Sequence, residues 1–422
     1  MKIKQIAKPY REVANIKAPK HKKPKKPNIL FRTLIRVASI PDLIFTRFKF
    51  TKERMEKAGN GPYFILMNHS SFVDLEVASR IFYPKPYCIV STTDGMVGKE
   101  WLMRNIGCIP TQKYVTDVTL IKDILYTLKT LKTSVLMYPE AGYSFDGCTT
   151  TLPRRLGVLL KKLNVPVLSV ITDGAFLRDP LYNGLQKRKV KVSAKLTCLL
   201  TPEELSVKSV EEIDEIIDTA FGFDAFKNQK ENGIEINEKF RADGLERVLY
   251  KCSECGSEGT MKGLGTHLTC SACGSKFELT TLGEIKGVGF NNKFSHIPDW
   301  YTWERESVRA EIINGDYSLK LPVNIGILTD YKGLYMVGDG TLCHDKNGFR
   351  LIGCDSELDY TQGPTHSYSL NSDYFWYEIG DVICIGNKER LYYCFPKFSH
   401  PVAKTRLATE ELYKICKNTV KA

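Results

Sequence analysis

From Gly61 to about Thr201 the chain alternates short, wholly apolar runs with longer stretches in which apolar residues recur every three or four positions. Tyr63–Met67, Tyr87–Val90, Ser134–Tyr138 and Val165–Ile171 are unbroken enough to predict strands buried on both faces. Between them, Val118, Ile121, Leu125 and Leu128 share one face of a helix, and Leu156–Leu163 predicts another. Strands alternating with helices across short loops predict an α/β domain with a largely parallel sheet and flanking helices.

Beyond residue 201 the texture changes. Residues 202–250 predict a connector with one helix over Glu211–Ala220, and residues 251–285 form a module bounded by cysteines. From 286 to 422 the pattern turns β-rich, with runs at Tyr317–Leu321, Phe349–Ile352, Tyr374–Ile379 and Leu391–Phe395 and a tight turn at Asp345–Gly348. A final helical pattern, Val402–Cys416, makes a PH-like domain or a small β-sandwich the expected form.

Composition and charge alter this picture at the N-terminus. At 43% hydrophobic and 26% charged residues the chain has a globular balance. It has no apolar run of the roughly 18 or more residues that span a bilayer, and its start lacks the apolar core of a secretory signal. A cytoplasmic protein is expected. Residues 1–60 carry 17 Lys and Arg against 4 Asp and Glu, whereas the whole chain is only +12, so the basic charge belongs to one arm, densest at His21–Lys26. Such an arm implies an anionic partner, lipid or nucleic acid. It runs into Phe31, Leu34, Ile35 and Ala38, spaced as one stripe of a helix with Arg32 and Arg36 off it and Pro41 ending it. A short amphipathic helix beside a polybasic segment suits the interface of an anionic leaflet, here the inner face of the cell membrane. Packing on the domain behind it is the alternative. The thirteen cysteines are odd in number and mostly scattered singly, which predicts a reduced compartment.

The candidate chemistry begins where the first strand ends, at Asn68-His69-Ser70-Ser71-Phe72-Val73-Asp74. The strand delivers His69 to the C-terminal edge of the sheet, where α/β sites form. Ser71-x-x-Asp74 is a capping-box pattern that starts a helix at once and turns Asp74 back toward the imidazole. A carboxylate on one ring nitrogen fixes the tautomer and supports the charge that develops as the other nitrogen takes a proton. A second polar loop, Tyr138-Pro139-Glu140-Ala141-Gly142-Tyr143-Ser144, also follows a strand and is expected at the same edge.

These residues resemble the glycerolipid acyltransferases typified by lysophosphatidic acid acyltransferase. Asn68–Asp74 matches the His-x4-Asp block, Gly107–Lys113 resembles the second block, Tyr138–Ser144 resembles Phe-Pro-Glu-Gly-Thr-Arg-Ser, and Val165–Leu168 resembles the fourth. The resemblance covers roughly residues 60–200 and implies a glycerol-3-phosphate acyltransferase-like fold. It further implies that His69 is the general base, that Asp74 orients it, and that a lysophospholipid hydroxyl attacks an acyl-CoA or acyl carrier protein thioester directly. Asn68, Ser71, Lys113, Glu140 and Gly142 are the implied substrate-binding positions, with Lys113 as the cation for the acceptor phosphate. The pattern departs at Ala141, Gly142 and Tyr143, which stand for Gly, Thr and Arg, so the usual arginine is absent and Arg104, Arg154 and Arg155 are the neighbouring substitutes.

A separate signal is Cys252-x2-Cys255-x14-Cys270-x2-Cys273. Four thiolates at this spacing predict a closed, structural zinc ribbon with no position for water, His267 being a remote alternative ligand. Lys251, Lys262 and Lys276 are offset by Glu254, Glu258 and Glu278, which argues against nucleic acid and for a docking role. Three functions follow: lysophosphatidate acylation at a membrane surface, the same chemistry on another hydroxyl acceptor, or a zinc-ribbon regulatory or nucleic-acid-binding protein with a degenerate acyltransferase domain.

Overall fold

The computed structural model of the chain describes residues 2–115, 117–153, 155–397 and 401–419. They form two compact units, one of residues 20–179 and 187–225, the other of residues 1–19, 180–186 and 226–422.

The first unit is built on a seven-stranded sheet ordered Lys49–Glu53, Ser193–Leu200, Val167–Asp173, Phe64–Met67, Ser134–Met137, Tyr87–Thr92, Cys108–Thr111. All neighbours run parallel except Val167–Asp173 against Ser193–Leu200. The four residues Phe64–Met67 are buried completely because both faces of this central strand are covered. Phe64 and Leu66 face a core with Leu128, Leu160 and Ile213, drawn from helices Val118–Lys129, Leu156–Leu163 and Val210–Ala220. Ile65 and Met67 face the opposite core with Val73, Val77 and Ala78 of helix Val73–Phe82. This is the expected α/β architecture, and it sends the chain segments after Met67 and after Met137, on adjacent strands, to one edge.

The basic residues of this unit are not a free tail. Pro24 and Pro27 are buried, while the lysines between and before them stay exposed. Arg104 donates to the carbonyls of Lys22 and Lys23, Lys22 pairs with Glu100 at 2.6 Å, and Asn28 N–H donates to Asn105 O. Helix Ile29–Ala38 then buries no residue fully. Phe31 meets Trp101 edge to face, and Arg32 donates to Pro84 O. Leu34 and Ala38 of the apolar stripe are exposed, whereas Arg32 and Arg36, off it, are half-buried. The two arginines take the inward side, Arg32 through its bond to Pro84 O, and the apolar side chains are turned outward. Leu30, Leu34, Val37, Ile44, Phe45 and Trp101 are each 50–70% exposed. No helix among the described residues is long and apolar enough to cross a membrane.

In the second unit, strands Met261–Leu264, His267–Cys270, Lys276–Leu279 and Ile285–Gly287 form an antiparallel four-stranded sheet. An eight-stranded sheet follows. Seven of its strands, from Leu319–Leu328 to Leu391–Pro396, run antiparallel to their neighbours, and helix Pro401–Thr419 ends the chain. Its eighth strand is Gln5–Ala7, paired parallel with Leu334–Asp345. The β-rich, helix-capped form expected from sequence is present, with an additional helix, Ile297–Asn314, that packs against the last one through Arg305–Glu410 and Arg309–Glu411.

Candidate functional site

His69 leaves the central strand two residues after Met67, and its ring is held from three sides. Nδ1 lies 3.0 Å from Asp74 Oδ2. The same oxygen accepts the N–H groups of Ser70 at 2.9 Å and Ser71 at 3.1 Å. Asp74 is buried and sits in the first turn of helix Val73–Phe82, where the positive end of the helix also favours a carboxylate. Asp74 accepts from Ser71 N–H, but the expected capping box is not formed, because the helix starts one residue later with Phe72 as its N-cap and no side-chain cap. Ser71 Oγ instead accepts from Val73 N–H and donates to Asp179. A carboxylate beside Nδ1 keeps the neutral ring's proton there and leaves Nε2 as the acceptor.

Two tyrosines close the faces of the imidazole. Tyr138 stacks at 4.1 Å between centroids and 24° between planes, and Tyr143 at 4.0 Å and 27° on the other side. The ring is left 18% exposed. Burial pushes its pKa below the usual histidine range against the pull of the Asp74 hydrogen bond and charge, and Lys113 pushes in the same downward direction. The burial therefore favours the neutral ring.

Glu140 ties the two loops together. It is fully buried, Oε2 accepting from His69 N–H at 2.9 Å and Oε1 from Thr150 N–H at 3.0 Å. Burial raises its pKa to about 7. Tyr114 O–H donates to the Glu140 carbonyl. Ala141 adopts a left-handed φ of 54°, a conformation costing roughly 1–2 kcal/mol that glycine adopts freely, and this turns the chain so that Tyr143 lies over His69.

The expected site residues thus fall into two groups. Lys113 stands within electrostatic range of His69 and is half-buried. Asn68, Ser71 and Glu140 are buried and hydrogen-bonded within the domain, Asn68 Oδ1 accepting Thr172 N–H at 2.8 Å across to the neighbouring strand. They hold loops instead of presenting groups to solvent. Gly142 is buried, and a Cβ there would come 3.2 Å from Tyr114 Oη. Of the neighbouring cations, Arg104 is spent on the carbonyls of Lys22 and Lys23, Arg155 is exposed, and Arg154 lies outside the described residues.

Sequence reasoning missed the support beneath this pair. Asp179, buried, accepts from Ser71 Oγ and pairs with Arg178 at 3.0 Å, and Arg178 pairs with Asp42 at 2.7 Å. Burial raises the Asp179 pKa to about 6. Residues 71 and 179 are too far apart in the chain for any local pattern to have joined them. The tyrosine stack was missed because each ring sits within a block read for other positions.

The cysteine module is a second candidate site. Cys252, Cys255, Cys270 and Cys273 bring four sulfurs within 4.8 Å of one another. Cys252–Cys273 and Cys255–Cys270 are each 3.8 Å apart, and a tetrahedron with metal–sulfur bonds of about 2.3 Å has edges of about 3.8 Å. Matching turns make this possible: Gly256 and Gly274, each just after its second cysteine, have φ of 74° and 77° and donate back to Cys252 O and Cys270 O. His267 is not part of this group. Lys404 of the last helix reaches Glu258 of the module and Glu311 of helix Ile297–Asn314, both at 2.7 Å. None of the thirteen cysteines is in a disulfide.

One family model matches the segment that holds the first site. Residues 47–172 match the family model described as Acyltransferase. The crystal structure of the 1-acyl-sn-glycerophosphate (LPA) acyltransferase PlsC from Thermotoga maritima is similar over 45% of this chain and 76% of that one, at 18% identity and a TM-score of 0.35. No curated protein matches. The matched residues 47–172 contain both the His69–Asp74 pair and the Glu140 loop.

Proposed function

We propose that this chain is an O-acyltransferase that moves a fatty acyl group from an acyl-CoA or acyl carrier protein thioester to the free hydroxyl of a lysophospholipid, with lysophosphatidate the first candidate. The observation that carries the proposal is the His69–Asp74 pair, its Nδ1 to Oδ2 distance 3.0 Å, at the edge of a parallel sheet. His69 Nε2 takes the hydroxyl proton, the oxygen attacks the thioester carbonyl, and the thiolate leaves with the proton returned by the imidazolium. Asp74 supports the charge that His69 carries between those steps. Lys113 meets the acceptor phosphate. Asn68, Ser71, Glu140 and the backbone at Gly142 hold the loops that carry the pair.

A membrane surface with anionic lipid is the proposed place of work. The outward apolar residues Leu30, Leu34, Val37, Ile44 and Phe45, near the exposed lysines 20–26, suit an inner leaflet better than bulk water. The metal proposed for the four cysteines is zinc, closed and structural, bracing the module that Lys404 ties to the last two long helices. A second acceptor class is favoured by one observation: Tyr143 stands where the resembled block has arginine, and it covers His69. The full chain, assayed with labelled acyl thioester against a panel of lysophospholipids and neutral hydroxyl lipids, tests both. Turnover selective for lysophosphatidate supports the first reading, turnover of another acceptor the second, and no turnover of any acceptor defeats both.

A further inference from the structure

Tyr138 and Tyr143 each lie with a ring face over the His69 imidazole. The face of an aromatic ring is electron-rich. A cation over such a face is stabilised within about 6 Å of the centroid. His69 has such a face on each side, at 4.1 Å from Tyr138 and 4.0 Å from Tyr143, both within 30° of parallel. The arrangement suits an imidazolium more than an imidazole.

We infer that Tyr143, with Tyr138 opposite, is a positioning residue that stabilises the protonated form of His69 through the faces of the two rings. The inference rests on the proposal that His69 is the base. In that reaction the acceptor O–H bond breaks and its proton passes to Nε2. The carbon–oxygen bond of the ester then forms, the carbon–sulfur bond breaks, and the departing thiolate takes the proton. The imidazolium exists only between the two transfers, so a group that favours it lowers the barrier while leaving the neutral resting base in place. The other charged groups that act on this ring are Asp74 from the following helix and Lys113 from the segment after strand Cys108–Thr111, while the buried Glu140 takes the backbone N–H of His69. Asp74 is the one negative charge bonded to the ring and Lys113 opposes it, so the ring faces supply what a single carboxylate on one edge does not. Tyr143 occupies the position where the resembled block carries arginine, a cation that would oppose an imidazolium; here the site has an aromatic face in its place.

The test compares Tyr143→Leu with Tyr143→Phe in the full chain, following the His69 ring by NMR titration, its signal identified by its loss in His69→Ala. Leucine keeps the apolar cover and removes the ring face, so the His69 pKa falls by about half a unit to one unit, and kcat/KM at its plateau falls roughly three- to tenfold. Phenylalanine retains both values. A Tyr143→Met chain makes the same comparison if leucine does not fold. An unchanged or higher His69 pKa in the leucine chain, or equal damage from phenylalanine, overturns the inference. Because the titration needs no substrate, a ring-dependent pKa in a protein that turns over no lipid would defeat the proposed function and leave the stack's effect standing.

Discussion

Asp74→Asn removes one charge from the centre of the site while keeping its shape, and the structure fixes how the new amide must lie. Three donors converge on Oδ2: His69 Nδ1–H at 3.0 Å, Ser70 N–H at 2.9 Å and Ser71 N–H at 3.1 Å. The asparagine oxygen must take that place, since an NH2 there would face three donors. The NH2 then occupies the position of Oδ1, which is buried and has no hydrogen-bond partner. Leaving it unsatisfied costs about 1–3 kcal/mol of stability. The His69 tautomer survives, but a charge-assisted bond to the imidazolium becomes a neutral one. Such bonds are worth about 1.5–3 kcal/mol, against roughly 1 for a neutral bond. The difference of about 0.5–2 kcal/mol predicts roughly two- to thirtyfold slower turnover at the pH plateau, with the acid limb of the pH profile moved down because the imidazolium is less favoured. Turnover across pH, beside a thermal melt of each protein, measures both effects. A folded Asp74→Asn enzyme with unaltered turnover and an unmoved acid limb would refute the electrostatic role.

Other consequences can be measured as directly. Glu140 has a pKa raised by burial to about 7, above its ordinary 4.5, so the stability linked to its proton is complete below about pH 4.5 and is lost as pH rises through 7. Glu140→Gln should flatten that part of the melting temperature against pH, a change of up to a few kcal/mol, and an unchanged slope would deny Glu140 its share. The chain should carry one zinc, and Cys252→Ser or Cys270→Ser should release it and unfold the cysteine module, structural zinc contributing on the order of 10 kcal/mol; elemental analysis well below one metal per chain counts against the site. Leu30→Glu with Leu34→Glu should abolish flotation with anionic vesicles, while Lys25→Glu with Lys26→Glu should weaken it by about 1 kcal/mol or more per residue and add to the effect of salt. Vesicle binding unchanged in both variants would remove this face from the membrane.

The parts of the fold legible in the sequence are those where burial is uniform. Phe64–Met67 and Ser134–Met137 are covered on both faces, so their runs are apolar without interruption. Helix Val118–Lys129 was legible in extent and less so in orientation. Val118 is exposed, while Asp123 and Thr127 are buried, Asp123 being 3.2 Å from His21. Helix Ile297–Asn314 escaped because its buried line of Trp300, Glu304, Val308 and Ile312 contains a carboxylate, fully buried and accepting from Lys251 N–H. In the last helix Thr405, Arg406, Glu410 and Glu411 are buried, with Arg305 pairing both glutamates, so a polar pattern faces inward. Strand Leu334–Asp345 is interrupted by Gly338 and Gly340, and a Cβ at Gly340 would lie 2.6 Å from Ile325. At the site, His69, Asp74, Lys113 and Glu140 were legible because strand ends deliver them to one edge. The Ser71–Asp179–Arg178–Asp42 chain was not, since only the folded sheet joins residues so distant in sequence.

The central claim is that His69 is the base of an acyl transfer, and the most direct measurement is turnover of His69→Ala with lysophosphatidate and an acyl thioester, set beside its melting curve. A lysophospholipid hydroxyl is a weak nucleophile near neutral pH, and a positioned base is worth roughly 100- to 10,000-fold. The account predicts a loss of that size in a protein that melts close to the parent and still binds thioester, with the His69→Ala, Asp74→Asn double variant no slower than His69→Ala alone. A stable His69→Ala protein with near-normal turnover would contradict it.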